Sequence, residues 1–234
     1  MLWQPIRPFE FTSPVVDVIR HGFLALKPLS TIIFANPYLR SKLTYRQVNE
    51  RILEIPFVLA RIKGLVLDIG SNESPVSLML ASSGYKVTSL DLRISSFNHL
   101  NIENIQADIN NWKKPNYFDT AICLSTLEHI GLKVYGGTQI KNGDQLAIDN
   151  IYICLKPGGK LLLTVPASVQ NQITRTWRSY DAASLKILLK KFKSVNINYG
   201  ILRNNNWQIV SKIPEKFDFD PQMPSAVALI ESIK

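Results

Sequence analysis

The stretch 65–93, LVLDIGSNESPVSLMLASSGYKVTSLDLR, leaves this chain few folds to choose from. Residues 65–69 form a short apolar run with Asp68 near its end, the pattern of a strand buried on both faces. Gly70, Ser71 and Asn72 then make a tight turn. Ser74 offers a helix N-cap, and Pro75 sits at the first helical position, where its missing N–H costs nothing. Val76, Leu78, Met79, Leu80 and Ala81 line that helix, and Gly84 ends it, because glycine takes the left-handed C-terminal conformation cheaply. Residues 85–90 are the second strand, which stops at Asp91.

This is a βαβ unit with an acid at the tip of each strand, and its logic is that of nucleotide binding. The turn brings backbone close to a ligand, and the second acid, about 20 residues on, can accept hydrogen bonds from both ribose hydroxyls. Two details set it apart from a dinucleotide site. The spacing is not G-x-G-x-x-G, since Asn72 and Ser74 stand where later glycines would, and Glu73 puts negative charge at the turn. A pyrophosphate is repelled there; a cationic nucleotide without phosphates, such as S-adenosylmethionine, is not. An ordinary crossover with no ligand is the alternative.

At 234 residues and 46% hydrophobic, the chain can bury one good core, so a single α/β domain with an added segment is expected. Cys123 and Cys154 both sit in apolar runs and read as buried thiols of a reduced compartment. Residues 1–7 lack the basic start and long apolar run of a cleavable signal, and the 23–35 run is broken by Lys27 and Pro28, so the chain reads as cytoplasmic. The net charge of +9 is uneven: residues 1–63 carry 9 basic and 4 acidic side chains, residues 64–166 carry 8 and 9, residues 167–212 carry 8 and 1, and residues 213–234 carry 2 and 4. Basic flanks around a neutral centre suit an anionic substrate, an anionic membrane surface or nucleic acid, or serve only as solubilising charge.

Residues 1–63 read as a helical extension or cap, cut by Pro5, Pro8, Pro14, Pro28 and Pro37. Thr44 can cap a helix carrying Val48, Ile52, Ile55, Phe57, Val58 and Leu59, with a break or kink at Pro56. Residues 23–34 offer a membrane-surface patch, which would make the protein peripheral to a membrane, or a dimer contact; the sequence leaves the oligomeric state open. Further strands are expected at 100–106, 118–124 and 160–165, with helices at 145–155, capped by Asp144, and from Asp181 to about Phe192. Residues 195–199 and 207–212 alternate across Asn204, Asn205 and Asn206, an antiparallel hairpin at a sheet edge. Residues 213–234 read as a tail, loose until 225–233. Strands alternating with helices and then a hairpin predict a doubly wound, mostly parallel seven-stranded sheet, with its ligand crevice at the carboxyl ends of the strands. Asp68, Asp91, Asp108 and the 125–129 segment should share that rim.

VLDIGSNESP, VTSLDLR, QADI, FDTAICLSTLEHIG and LKPGGKLLLTVP occur in the order and spacing of class I S-adenosylmethionine-dependent methyltransferases. Residues 64–212 resemble that family, and within it a bacterial subgroup with ESP after the first glycine and EHIGL after strand four. The resemblance implies a Rossmann-like fold and a domain at 64–212. Asp68, Gly70, Ser71 and Asn72 would hold the methionine part of the cofactor and Asp91 its ribose, with Leu92 against the adenine. Asp108 would read the adenine amino group, Ile109 would pack on the ring, and Leu124 and Ser125 would floor the site near the sulfonium. Where later turn glycines become Asn72 and Ser74 the sequence departs from the family; Asn tolerates a left-handed backbone, so the turn can survive.

Methyl transfer from a sulfonium is an in-line displacement, and a hydroxyl acceptor needs a base. His129 is the candidate by position, being neutral near pH 7; alternatively it only orients the loop. Glu128 is a second candidate, for contact with cofactor or acceptor. No metal is expected, for want of ligands. The 132–143 loop with Tyr135 reads as a lid or acceptor wall, and Arg178, with Arg175 and Trp177, as a group that could meet an anionic acceptor or as a basic surface turn. The expected function is methylation of a small molecule or glycan at oxygen. RNA or protein methylation is the alternative enzyme reading, though LSTL stands where a base-methylating tetrad would; a cofactor-binding relic of the fold is the other.

Overall fold

The computed structural model describes residues 49–95, 97–203, 206–215 and 225–234. Thr44, Val48, the 23–34 run, the turn positions Asn204 and Asn205 and the side chain of Glu73 lie outside the described residues.

One eight-stranded sheet organises the fold. Its strands are β1 (Val66–Ile69), β2 (Val87–Asp91), β3 (Ile102–Gln106), β4 (Phe118–Leu124), β5 (Leu155–Pro166), β8 (Ser194–Arg203), β9 (Asn206–Val210) and β10 (Ala226–Ile233). The order across the sheet is β3-β2-β1-β4-β5-β10-β8-β9. Strands β3, β2, β1, β4 and β5 run parallel, while β10 is antiparallel to both β5 and β8, and β9 is antiparallel to β8. The order reverses between β1 and β4, which opens a crevice at their carboxyl ends. A two-stranded ribbon of β6 (Gln172–Ile173) and β7 (Arg178–Ser179) stands beside the sheet.

Every residue of β1 and β2 is buried, as a strand covered on both faces requires. Helices α1 (Arg51–Leu59) and α2 (Val76–Ser82) cover one face, where Phe57, Val58, Val76 and Leu80 meet Val66, Ile122 and Leu162. Helices α3 (Gly143–Cys154) and α4 (Ala182–Leu188) cover the other, where Ile148, Ile151 and Leu185 meet Leu67, Cys123 and Leu163. The alternation of Ala121 and Cys123 with Ile122 and Leu124 along β4 serves the two faces in turn.

The doubly wound sheet and its edge hairpin are as the sequence predicts, with three differences. The segment that reads as a tail supplies β10, an interior strand whose Ala226 to Ile230 are all buried, so the sheet has eight strands. Helix α3 begins at Gly143 after Asn142 in a left-handed conformation, with no side-chain cap; Asp144 instead accepts from the Tyr180 hydroxyl at 3.1 Å. The strand expected at 160–165 starts earlier, β5 running from Leu155 through 156–159 with Gly158 at φ +74°. The Asp181 cap forms as expected, its side chain accepting from the Ser184 N–H at 2.7 Å.

Candidate active site

The carboxyl ends of β1, β2 and β4 surround a cleft of about 380 Å³, within the size range of small-ligand sites. At Gly70 the chain turns with φ +72°, and an added Cβ would lie 2.2 Å from Thr126 Cγ2. Only glycine brings the backbone of this turn so close to the strand-four loop. The turn then fixes the acid opposite it: the Asn72 N–H donates to Asp91 Oδ2 at 3.1 Å, and the Arg93 N–H to Asp91 Oδ1 at 2.9 Å. One backbone donor on each oxygen locks the carboxylate while leaving further lone pairs for a diol. Beyond it, Leu92, Ala107, Asp108 and Ile109 line a slot suited to a flat heterocycle. Asp108 is held by its own turn, Oδ1 accepting from the Asn110 N–H at 2.8 Å.

Gly70, Asp91, Leu92, Asp108, Ile109, Ser125, Glu128, His129 and Tyr135 therefore come together around one cleft. Asp68, Ser71, Asn72 and Leu124 do not line it. The Asp68 carboxylate is buried and accepts from the Ser77 hydroxyl at 2.7 Å, tying β1 to α2. Burial raises its pKa to about 6, against the lowering by Ser77 and Arg51. The Ser71 hydroxyl bonds that of Ser89 at 2.6 Å. Arg178 is buried, and its Nη1 donates to the carbonyls of Ile130 at 2.7 Å and Glu128 at 3.2 Å. It braces the strand-four loop from behind.

His129 Nδ1 lies 2.6 Å from the Thr176 carbonyl oxygen. A carbonyl can only accept, so Nδ1 carries the proton in the neutral ring and Nε2 the lone pair. Nε2 is 3.9 Å from Glu128 Oε1. Glu128 is 3% exposed, and burial pushes its carboxyl well above the usual range, with Glu54 and Glu50 adding to the rise.

Three residues of α1 and its N-terminus were not legible as site residues. Glu50 and Arg51 line the cleft. Glu54 is fully buried; its Oε1 accepts from the Ser125 hydroxyl and, at 2.7 Å, from that of Thr164, and Arg51 Nη1 lies 3.3 Å from its Oε2. The only sequence signal was a charged residue at a core position of an apolar helix.

A family model of the methyltransferase domain matches residues 43–212. The chain belongs to this family. It is an S-adenosylmethionine-dependent methyltransferase, and the cleft residues fit that nucleotide: a fixed acid for the ribose, an apolar slot for the adenine and a glycine turn beneath. Among curated proteins none matches. The structure superposes on 1,6-didemethyltoxoflavin-N1-methyltransferase from Burkholderia thailandensis, solved with 1,6-didemethyltoxoflavin and S-adenosylhomocysteine, with a TM-score of 0.56 at 15% identity over 97% of this chain and 92% of that one. For N-methyltransferase NodS from Bradyrhizobium japonicum, in complex with S-adenosylhomocysteine, the values are 0.52 and 15% over 85% and 88%. For a SAM-dependent methyltransferase from Archaeoglobus fulgidus they are 0.54 and 15% over 85% and 100%. At such identities the likeness is one of fold.

Among the described residues no group of His, Cys, Asp or Glu is placed to hold a metal ion, and no helix is long and apolar enough to cross a membrane.

Proposed function

We propose that this methyltransferase acts on a small molecule rather than on nucleic acid. The carrying observation is the charge of the cleft: among the described residues Glu50, Asp91, Asp108 and Glu128 line it, against Arg51 and Arg93, and no lysine does. A polyanion would be repelled there, since nucleic-acid affinity is built mainly on cations facing phosphates. The Burkholderia thailandensis enzyme named above, solved with the small acceptor 1,6-didemethyltoxoflavin, points the same way.

Gly70, Asp91, Leu92, Asp108, Ile109 and Ser125 hold the nucleotide in this reading, with Asp68, Ser71, Asn72 and Leu124 supporting them from behind. The donor supplies a methyl group already activated on sulfur. The protein's work is to align the acceptor, exclude water and take a proton. His129, Tyr135 and Trp177 wall the acceptor end. For a hydroxyl acceptor, the atom the sequence suggests, His129 Nε2 is the base, its tautomer set by Thr176. Glu128 beside it points to a different acceptor atom. The chain is read as cytoplasmic, its thiols Cys123 and Cys154 being free and buried.

The test is label partition. With methyl-tritiated S-adenosylmethionine and a fractionated cell extract, label should enter the small-molecule fraction. Label in precipitated RNA or protein instead would overturn the proposal.

A further inference from the structure

The acidic wall of the cleft divides into two ends. At the nucleotide end, Asp91 is held by Asn72 and Arg93, and Asp108 by Asn110. At the acceptor end stand Glu50 and Glu128, with Glu54 behind them. Arg51 is the cation of this end among the described lining residues, and its Nη1 is paired with Glu54 Oε2 at 3.3 Å. Glu54 Oε1 accepts from Ser125 and Thr164, and its Oε2 faces Arg51 Nη1 as an ion pair without a hydrogen bond. Glu128 is not so served. It is 3% exposed, its Oε2 is buried with no hydrogen-bond partner among the described residues, and its Oε1 lies beyond hydrogen-bond reach of His129 at 3.9 Å. A buried carboxylate left unpaired is costly and calls for a donor or a cation from elsewhere.

We propose that the methyl acceptor is a small amine, seated with an N–H on the Glu128 carboxylate where it lines the cleft. The proposal rests on the reading of this cleft as a site for the methyl donor and a small acceptor. A primary amine arrives as an ammonium ion, which completes the short-changed charge at this end; an alcohol of the same shape brings none. Trp177 lines the same cleft, and aromatic faces attract ammonium groups; the Tyr135 ring already has the Arg93 guanidinium 5.3 Å from its centroid. Burial has raised the proton affinity of Glu128, so it can take one proton from the ammonium and leave a neutral amine. The nitrogen lone pair then forms the bond to the methyl carbon as the carbon–sulfur bond breaks and its electron pair stays on sulfur. The product leaves as a methylated ammonium ion, and Glu128 returns its proton to water. Both charges and protons balance without another reactant.

Titration calorimetry at pH 7.5 tests this with matched pairs, benzylamine against benzyl alcohol and phenethylamine against 2-phenylethanol, on protein saturated with S-adenosylhomocysteine and on protein without it. The amines are expected to bind at least tenfold more tightly than their alcohols. In Glu128→Gln the amines should lose at least tenfold in affinity while S-adenosylhomocysteine keeps its own within about threefold. Gln at 128 keeps the shape and a hydrogen-bonding oxygen, so a residue needed only for packing would not move these values. Equal binding of amines and alcohols, binding of neither series, amine affinity unchanged in Glu128→Gln, or an equal loss for S-adenosylhomocysteine would each overturn the proposal. Absence of S-adenosylhomocysteine binding, with amines still bound through Glu128 on the free protein, would instead refute the donor site and leave the amine site standing.

Discussion

Asp68 illustrates how far a single residue can be read. Its place at the end of β1 was plain from the apolar run before it. Its partner was not, because the side-chain direction follows from how α2 packs back onto the strand. The carboxylate turns to the Ser77 hydroxyl instead of the cleft. That burial has a measurable consequence. With the folded-state pKa raised from 3.8 to about 6, the folded protein binds more protons than the unfolded chain between those values. The Asp68 contribution to stability therefore falls as pH rises through that window and levels off above it, while Asp119 and Asp181, whose pKa values are lowered, act in the opposite direction. Asp68 contributes about 3 kcal/mol to the fall, and Glu128 and Glu50, also raised, act in the same direction. In Asp68→Asn the decline should shrink by roughly that amount, read by urea denaturation at pH 4 and pH 7. An identical decline in both proteins would show that Asp68 does not carry this strain.

At the scale of elements, α1 is pinned by a contact no local pattern reveals. Glu54 reaches Ser125 and Thr164, which are 71 and 110 positions away in the chain. From the sequence Glu54 is only a glutamate in an apolar helix, with nothing to name its partners. Glu54→Ala should cost about 2 kcal/mol, since the buried Thr164 hydroxyl, the half-buried Ser125 hydroxyl and Arg51 lose their acceptor; thermal or urea unfolding checks it, and an unaltered midpoint would show the tether to be idle. The strand-four loop gives a second case. A Cβ on Gly131, at φ +80°, would lie 2.7 Å from the Ile140 carbonyl oxygen, and one on Gly143 would lie 2.7 Å from Gly131 Cα. This close approach closes the loop that carries Tyr135. Gly131→Ala should destabilise the protein by about 2 kcal/mol and weaken the wall of the cleft, as denaturation and ligand titration together would report. The glycines were visible in the sequence, but which two backbones meet was not. Arg178 misled in the opposite sense, reading as a surface cation when Ile130 and Glu128 draw its guanidinium inward.

For the whole molecule, the βαβ start and the order of motifs were enough to give the sheet and the rim where ligands bind. What they did not give was closure of the sheet by the chain's end. Strand β10 lies between β5 and β8, and its buried Val227, Leu229 and Ile230 face both layers of the core. Deleting residues 226–234 should abolish cooperative folding rather than trim a tail, because β8 and β9 would lose their neighbour. Circular dichroism and a lost unfolding transition would show it; a truncated protein that still melts cooperatively would contradict it.

The account stands on the strand tips forming a pocket for adenosine joined to a charged sulfur, with Asp91 as the ribose acceptor. Calorimetric titration of S-adenosylhomocysteine into the wild type and Asp91→Ala measures this directly. Saturable binding that weakens at least tenfold in the variant is predicted, from the loss of charged hydrogen-bond acceptors. Equal affinity in the two proteins, or no heat in the wild type at high micromolar ligand, would contradict it.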